Sequence, residues 1–329
     1  MIRVRKMIRR KYRQAQRRIG FINIITNLKS PGLYNDALIL SSILKREGYG
    51  VLITGWKEKI LYPGKFKINI HLERVITFYC GLAAINIFIP NPEWFAQQWD
   101  LCRPVIDLVL CKTMDAQKIF ERLGSKTVYT SFTSHDRYRN NQSKIKEFVH
   151  IAGKSQMKGT RSIIELWNKN PGLPCLHLFN YGLALHDLIE APNIDYRFGP
   201  VHEEELNEIF NRYYFHLCPS EYEGFGHYIN EAKSTGAIVI TTDAPPMNEL
   251  IDENIGFLAQ YKEKTPCQKA FLYKVDQDDL LHQIKQALSL SDSELSAMSR
   301  RARESYLQND ARFKESLVNL INNIEEAVK

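Results

Sequence analysis

Apolar residues fall into short runs that alternate with stretches of helical spacing over most of the chain. Residues 19–27 (IGFINIITN) form an apolar run leading into Lys29-Ser30-Pro31-Gly32. A helical pattern follows from about Asn35 to Glu47, Gly48 stops it, and residues 51–54 begin the next strand. Such a β-turn-α-β opening belongs to a doubly wound sheet. Further strands are expected at 84–89, 105–111 and 127–130, with a helix over 114–123. The polar stretch 133–143 (TSHDRYRNNQS) has few apolar groups and reads as a linker. A second series starts with a strand at 148–152. It continues with a helix near 158–168, strands at 175–179 and 194–198, a helix at 203–212 and a strand at 213–218. A helix at 228–235 ends at Gly236, and residues 276–329 are helical throughout. The alternation predicts an α/β chain with two Rossmann-like, doubly wound domains, their parallel sheets covered by helices on both faces, and a helical C-terminal segment.

Composition narrows this picture. A chain of 329 residues has room for two ordinary domains, and 44% hydrophobic with 25% charged residues fits a soluble globular protein. The net charge of +7 is concentrated in an arm, residues 1–18, with nine Lys/Arg and no acid. The remainder, with 35 basic and 37 acidic residues, is nearly neutral, so nucleic acid is not an expected partner. Val4, Ile8, Tyr12, Ala15 and Ile19 recur at helical spacing within and just after the arm. Two readings stay open: a basic amphipathic helix on an anionic membrane surface, or a solvated disordered arm. No apolar run suits a membrane span or a secretory signal, so the expected location is cytoplasmic, with peripheral attachment to a membrane face at most. The six cysteines are scattered without a C-x-x-C pair and read as reduced core thiols.

The chemistry concentrates in residues 218–231, CPSEYEGFGHYINE. An apolar strand, the turn Gly224-Phe225-Gly226 and a helix start bring backbone N–H groups together, where the helix dipole adds about half a positive charge. A phosphate suits that end, and the carboxylates Glu223 and Glu231 can hold hydroxyl groups on either side of it. Ligands of open α/β sheets bind beyond the carboxyl ends of strands, which also selects the loop holding Gly153, Lys154 and Lys158. Two ammonium groups four positions apart suit a diphosphate. Asp276-Gln277-Asp278 spells D-x-D, yet it introduces a helix and reads as an N-terminal cap; no metal is expected.

The 218–231 segment resembles the E-x7-E signature of family 4 glycosyltransferases of the GT-B fold. Ile151-Ala152-Gly153-Lys154 with Lys158-Gly159, Phe198-Gly199-Pro200-Val201 with Glu203-Glu204-Glu205-Leu206, and Gly236–Asp243 with Asn248-Glu249-Leu250-Ile251 resemble that family's other stretches in order and spacing over roughly residues 147–258. The chain departs from the family pattern in having Lys at 154, where Arg is usual, and Pro31-Gly32-Leu33, where two glycines are often adjacent. The resemblance implies two domains facing a cleft, over 19–140 and 145–308, with the final helix 309–329 crossing back to the first. It implies a retaining transfer of sugar from a UDP- or GDP-sugar to a hydroxyl of a glycan, lipid-linked or protein acceptor, with no cofactor. The implied catalytic residues are Glu223, Lys154 and Lys158. The implied donor-binding residues are Gly32, Gly153, Val201, Gly224, Phe225, Gly226, His227, Tyr228 and Glu231. Asn91, Glu93, Lys112 and His135 are acceptor-side candidates, with helix caps and hinge positions as the other reading. A GT-B scaffold that binds a nucleotide or glycan without turnover is the alternative function.

Overall fold

A computed structural model describes residues 21–58, 66–140, 142–181 and 191–328, so the basic arm 1–18 lies outside the described residues. The chain divides into two compact units, Met1–Ser131 with Arg312–Lys329, and Phe132–Ala311.

The first unit is built on six parallel strands: β1 (Phe21–Thr26), β2 (Gly50–Gly55), β3 (Phe66–Leu72), β4 (Ala83–Ile89), β5 (Leu108–Cys111) and β6 (Thr127–Tyr129), in the order β2-β1-β3-β4-β5-β6. Helix α1 (Pro31–Arg46) starts with Pro at its first position, where the missing N–H costs nothing, and Leu33, Ala37, Leu40 and Leu44 face inward. It begins earlier than the sequence pattern suggests, so Gly32 belongs to its first turn. Helix α2 (Met114–Arg122) is capped by Thr113, whose hydroxyl accepts from the Ala116 N–H.

The sequence reading lacked β3, although it lies between β1 and β4. Its residues, FKINIHL, alternate like those of a half-exposed strand, yet Asn69 and His71 are fully buried. The polar side chains pair along the sheet instead of meeting water. Asn23, Asn69 and Asn86 are aligned in register. Asn23 donates to Asn69 at 3.3 Å, Asn69 donates to Asn86 at 3.0 Å, and Thr54 donates to Asn23 at 2.6 Å. A one-residue slip would break every rung, so the ladder sets the register as well as satisfying buried amides. The start of β5 also differs: Arg103–Val105 is a single tight turn, and the strand begins at Leu108.

The second unit holds β7 (Ile145–Gly153), β8 (Leu176–Asn180), β9 (Ile194–Phe198), β10 (Tyr213–Cys218), β11 (Ile238–Thr242) and β12 (Gly256–Ala259), all parallel, in the order β12-β11-β10-β7-β8-β9. Helices α3 (Thr160–Lys169), α4 (Glu203–Arg212), α5 (His227–Ser234) and α6 (Gln277–Ser289) accompany them, and α7 (Asp292–Asn322) begins in this unit and ends in the first. Phe148 stacks on Phe215 at 5.0 Å and meets the Trp167 ring edge-on, fixing α3 against β7 and β10. The sequence reading also lacked an antiparallel hairpin, β13 (Tyr261–Cys267) with β14 (Ala270–Val275). It stands apart from the parallel sheet, and most of β13 is exposed. Asp276 caps α6, its side chain accepting from the N–H groups of Asp278 and Asp279. All six cysteines are free thiols, four of them buried.

Candidate functional site

Strand order locates the site. In the second unit the chain starts at β7 and builds outward through β8 and β9, then returns to β10 on the other side and continues through β11 and β12. The winding direction therefore reverses between β7 and β10. Ligands of doubly wound sheets bind beyond the carboxyl ends of two such strands. The two loops are 153–159, after β7, and 219–226, after β10.

The loops interlock. Glu221 N–H donates to the Met157 carbonyl at 2.8 Å. Gly159 has φ +68°, and a Cβ there would lie 2.1 Å from the Pro219 carbonyl oxygen, so only glycine lets the chains approach this closely. His150 ties the same parts together from below. It is fully buried, and burial lowers its pKa to about 4, so the ring is neutral. Its Nδ1–H donates to the Leu217 carbonyl at 2.7 Å, which leaves Nε2 to accept the Thr160 hydroxyl at 2.9 Å at the start of α3. From β11, Thr241 and Thr242 donate to the carbonyls of Cys218 and Ser220 and hold the second loop.

On this frame Lys158 Nζ donates to Glu223 Oε1 at 2.8 Å and lies 3.3 Å from the Tyr228 ring centroid. Ser220 Oγ donates to the same oxygen at 2.6 Å. Glu223 Oε2 has no donor among the described residues, and the side chain is 14% exposed. Burial raises the Tyr228 pKa far above its ordinary range, so its hydroxyl stays protonated beside Ser220. Lys154 is exposed, with Nζ over the Tyr181 ring at 4.3 Å, and Gly153 before it has φ +59°. Gly226 has φ +94° and ends the loop as the residue before α5, so the first N–H groups of α5 follow directly. Phe225 is buried edge-on against Phe132 at 5.6 Å. Beside the first loop opens a polar cavity of ≈ 300 Å³ lined by Ser155, Gln156, Thr160, Arg161, Asn180 and Glu221.

One turn along α5, Glu231 is buried and accepts from Arg137 Nη2 at 2.9 Å. His227 Nδ1 is 2.8 Å from Ser134 Oγ. Glu223, Lys154, Lys158, Gly153, the 224–228 turn and Glu231 thus all belong to the second unit and to two loops and one helix. Val201 packs on the cluster of Val149, Phe179, Ile209 and Tyr213.

Of the remaining candidates, Gly32, Asn91, Glu93 and Lys112 belong to the first unit and His135 to the second. Gly32 is exposed at the start of α1, with open space where a Cβ would be. Lys112 is buried and donates to Asp36 at 3.1 Å. Asn91 donates to Glu73 at 2.9 Å, Glu93 is buried, and His135 is exposed. Burial raises the Glu73 pKa, and Asn91 and Lys112 oppose the rise. Sequence reasoning missed Arg137, Ser220 and His150. Ser220 lies inside the motif itself. His150 faces the core from a strand, and Arg137 stands in a stretch read as a linker.

Residues 196–305 match the family model described as glycosyl transferases group 1. Among solved structures, a glycosyltransferase from Rickettsia africae has a TM-score of 0.69 at 14% identity, covering 94% of this chain and 98% of its own. HepE from Anabaena, crystallised in complex with UDP and glucose, has 0.69 at 14%, covering 92% and 99%. The sucrose-phosphate synthase from Thermosynechococcus elongatus has 0.68 at 13%, covering 93% and 99%. These likenesses establish the GT-B fold. No curated protein matches the sequence.

Proposed function

We propose that the chain, which has the GT-B fold, is a glycosyltransferase that moves a sugar from a nucleoside-diphosphate sugar to an acceptor hydroxyl with retention of configuration. One observation carries the reading: the loops after β7 and β10 meet at the winding reversal of a Rossmann-ordered sheet, with Lys158 and Glu223 joined at their meeting point. HepE is crystallised with UDP and glucose, which supports a UDP-sugar as the first donor to test, with GDP-sugars beside it.

In this reading the diphosphate lies against the first N–H groups of α5, with Lys154 and Lys158 as its cations. Glu223 would otherwise repel a diphosphate; its pairing with Lys158 removes that charge and leaves Oε2 to orient the donor sugar. Glu231 takes the ribose hydroxyls. As the glycosidic C–O bond breaks, charge grows on the leaving phosphate oxygen, and fixed amides and ammonium groups stabilise it without reorganising. That oxygen then takes the proton of the incoming hydroxyl on the same face, so retention needs no separate side-chain base. Asn91, Glu93, Lys112 and His135 remain acceptor-side candidates, and the acceptor is a hydroxyl of a glycan, a lipid-linked sugar or a protein.

Incubation with UDP- and GDP-sugars tests the reading. Slow hydrolysis without acceptor, and a sugar product of unchanged anomeric configuration by NMR, are expected. Inverted product would refute retention, and absence of any nucleoside-diphosphate release would leave only binding. No helix among the described residues is long and apolar enough to cross a membrane. We read the basic arm as a membrane-surface contact. Removal of residues 1–18 should weaken binding to anionic vesicles and spare activity on a soluble acceptor.

A further inference from the structure

The stretch 132–139 has no regular secondary structure, yet Phe132, Thr133, Ser134 and Arg137 are buried in the second unit. It lies along α5. Phe132 meets Phe225 and His227 edge-on, Ser134 bonds His227, the Arg137 side chain bonds Glu231, and the Arg137 N–H donates to Ser234 Oγ at 3.0 Å. Positions 227, 231 and 234 are spaced i, i+4, i+7 and form one face of the helix. The strap is itself fixed from the other side. Tyr306 donates to the Ser134 carbonyl at 2.7 Å, Asn309 to the Phe132 carbonyl at 2.7 Å, Thr133 to Asp310 at 2.8 Å, and Asn211 to the Arg137 carbonyl at 2.6 Å.

The Arg137 guanidinium bridges two helices. Nη1 donates to Glu203 at 2.8 Å and to Asn207 at 2.6 Å, both on α4, and the group lies 5.1 Å from the Phe210 ring centroid. Nη2 donates to Glu231 Oε1. An arginine facing a carboxylate usually forks onto both oxygens. Here the second nitrogen is held by α4, so the contact is single and Glu231 Oε2 has no donor among the described residues. Both partners are enclosed, with side-chain exposures of 5% for Arg137 and 9% for Glu231, whereas Glu203 is 70% exposed and its attraction is screened by water. A buried carboxylate with one oxygen fixed and the other open is set to accept from a hydroxyl pair at a defined angle.

We propose that Arg137 is a positioning residue for the donor: anchored on α4, it holds one oxygen of Glu231 and aims the other at the vicinal hydroxyls of the donor ribose. This rests on the reading of Glu231 given above. Arg137 does not touch the reacting atoms, and its effect is on nucleotide selection. A lysine cannot replace it, because one ammonium cannot reach Glu231, Glu203 and Asn207 in a single plane.

The test is a ratio. Dissociation constants for UDP and GDP, each beside its 2′,3′-dideoxy form, are measured by calorimetry on the wild type and on R137Q, R137K, E231Q and R137Q/E231Q, with melting temperatures. The wild type should prefer the ribose form of the nucleotide it binds by roughly tenfold or more, the effect of one unmade hydrogen bond to a buried charge. R137Q and E231Q should each bring the ratio close to one, and the double variant should match E231Q. Should R137Q fail to fold, R137K carries the test, with a reduced ratio expected. A folded Arg137 variant with the wild-type ratio, while E231Q loses it, overturns the proposal and leaves the Glu231 reading intact. A wild type indifferent to the ribose hydroxyls overturns both. A merely structural arginine would lower the melting temperature and leave the ratio unmoved.

Discussion

Lys158 is held before any donor arrives, between the Glu223 carboxylate and the Tyr228 ring. A fixed cation stabilises charge as it develops, and removing one such group costs about 10²-fold in turnover. Lys158→Ala should therefore lower kcat about 10²-fold with UDP- or GDP-sugar, and an unchanged kcat would remove the residue from the mechanism. Lys158 and Glu223 were legible in the sequence because glycines stand beside both and their strands precede them. Arg137 was not. A guanidinium in TSHDRYRNN carries no local sign of burial, since the groups that enclose it, Glu203, Asn207 and Glu231, lie 66 to 94 positions away. The partner of Lys112 was equally hidden, since Asp36 lies 76 positions away.

At the scale of elements, most strands with continuous apolar runs were recognised, although the four-residue β12 was too short to register, and β3 was not, because its polar residues are answered by other strands and not by water. Asn69→Leu should leave Asn23, Asn86 and the Tyr79 carbonyl without their partner. The expected loss is about 3 kcal/mol, measured by urea unfolding; an unchanged midpoint would mean the ladder contributes nothing. The hairpin β13–β14 escaped for another reason: YKEKTPC has three consecutive charged residues and a proline, which reads as loop. The D-x-D sequence at 276–278 is a cap by geometry. Asp276→Ala should cost about 1 kcal/mol of stability and leave transfer rates unaffected. A metal-dependent loss of activity in that variant would restore the other reading.

For the whole molecule, each unit has its own acid-sensitive core. Burial lowers the pKa of His71 to about 4 in the first unit, and of His150 to about 4 and His216 to about 3 in the second. The unfolded chain binds these protons near pH 6.5, and the folded chain only at the lowered values. The associated stability is therefore complete above pH 6.5 and is lost as pH falls toward the lowered values. Urea midpoints at pH 7, 6, 5 and 4 should decrease steadily; a flat series would show that these rings meet water in the folded state. The contact between Gly159 and the Pro219 carbonyl has a consequence for redesign. The two loops fit like a key and its ward, so neither has a shape independent of the other. Attempts to change sugar preference by transplanting 219–226 from a relative should succeed only when 153–159 travels with it.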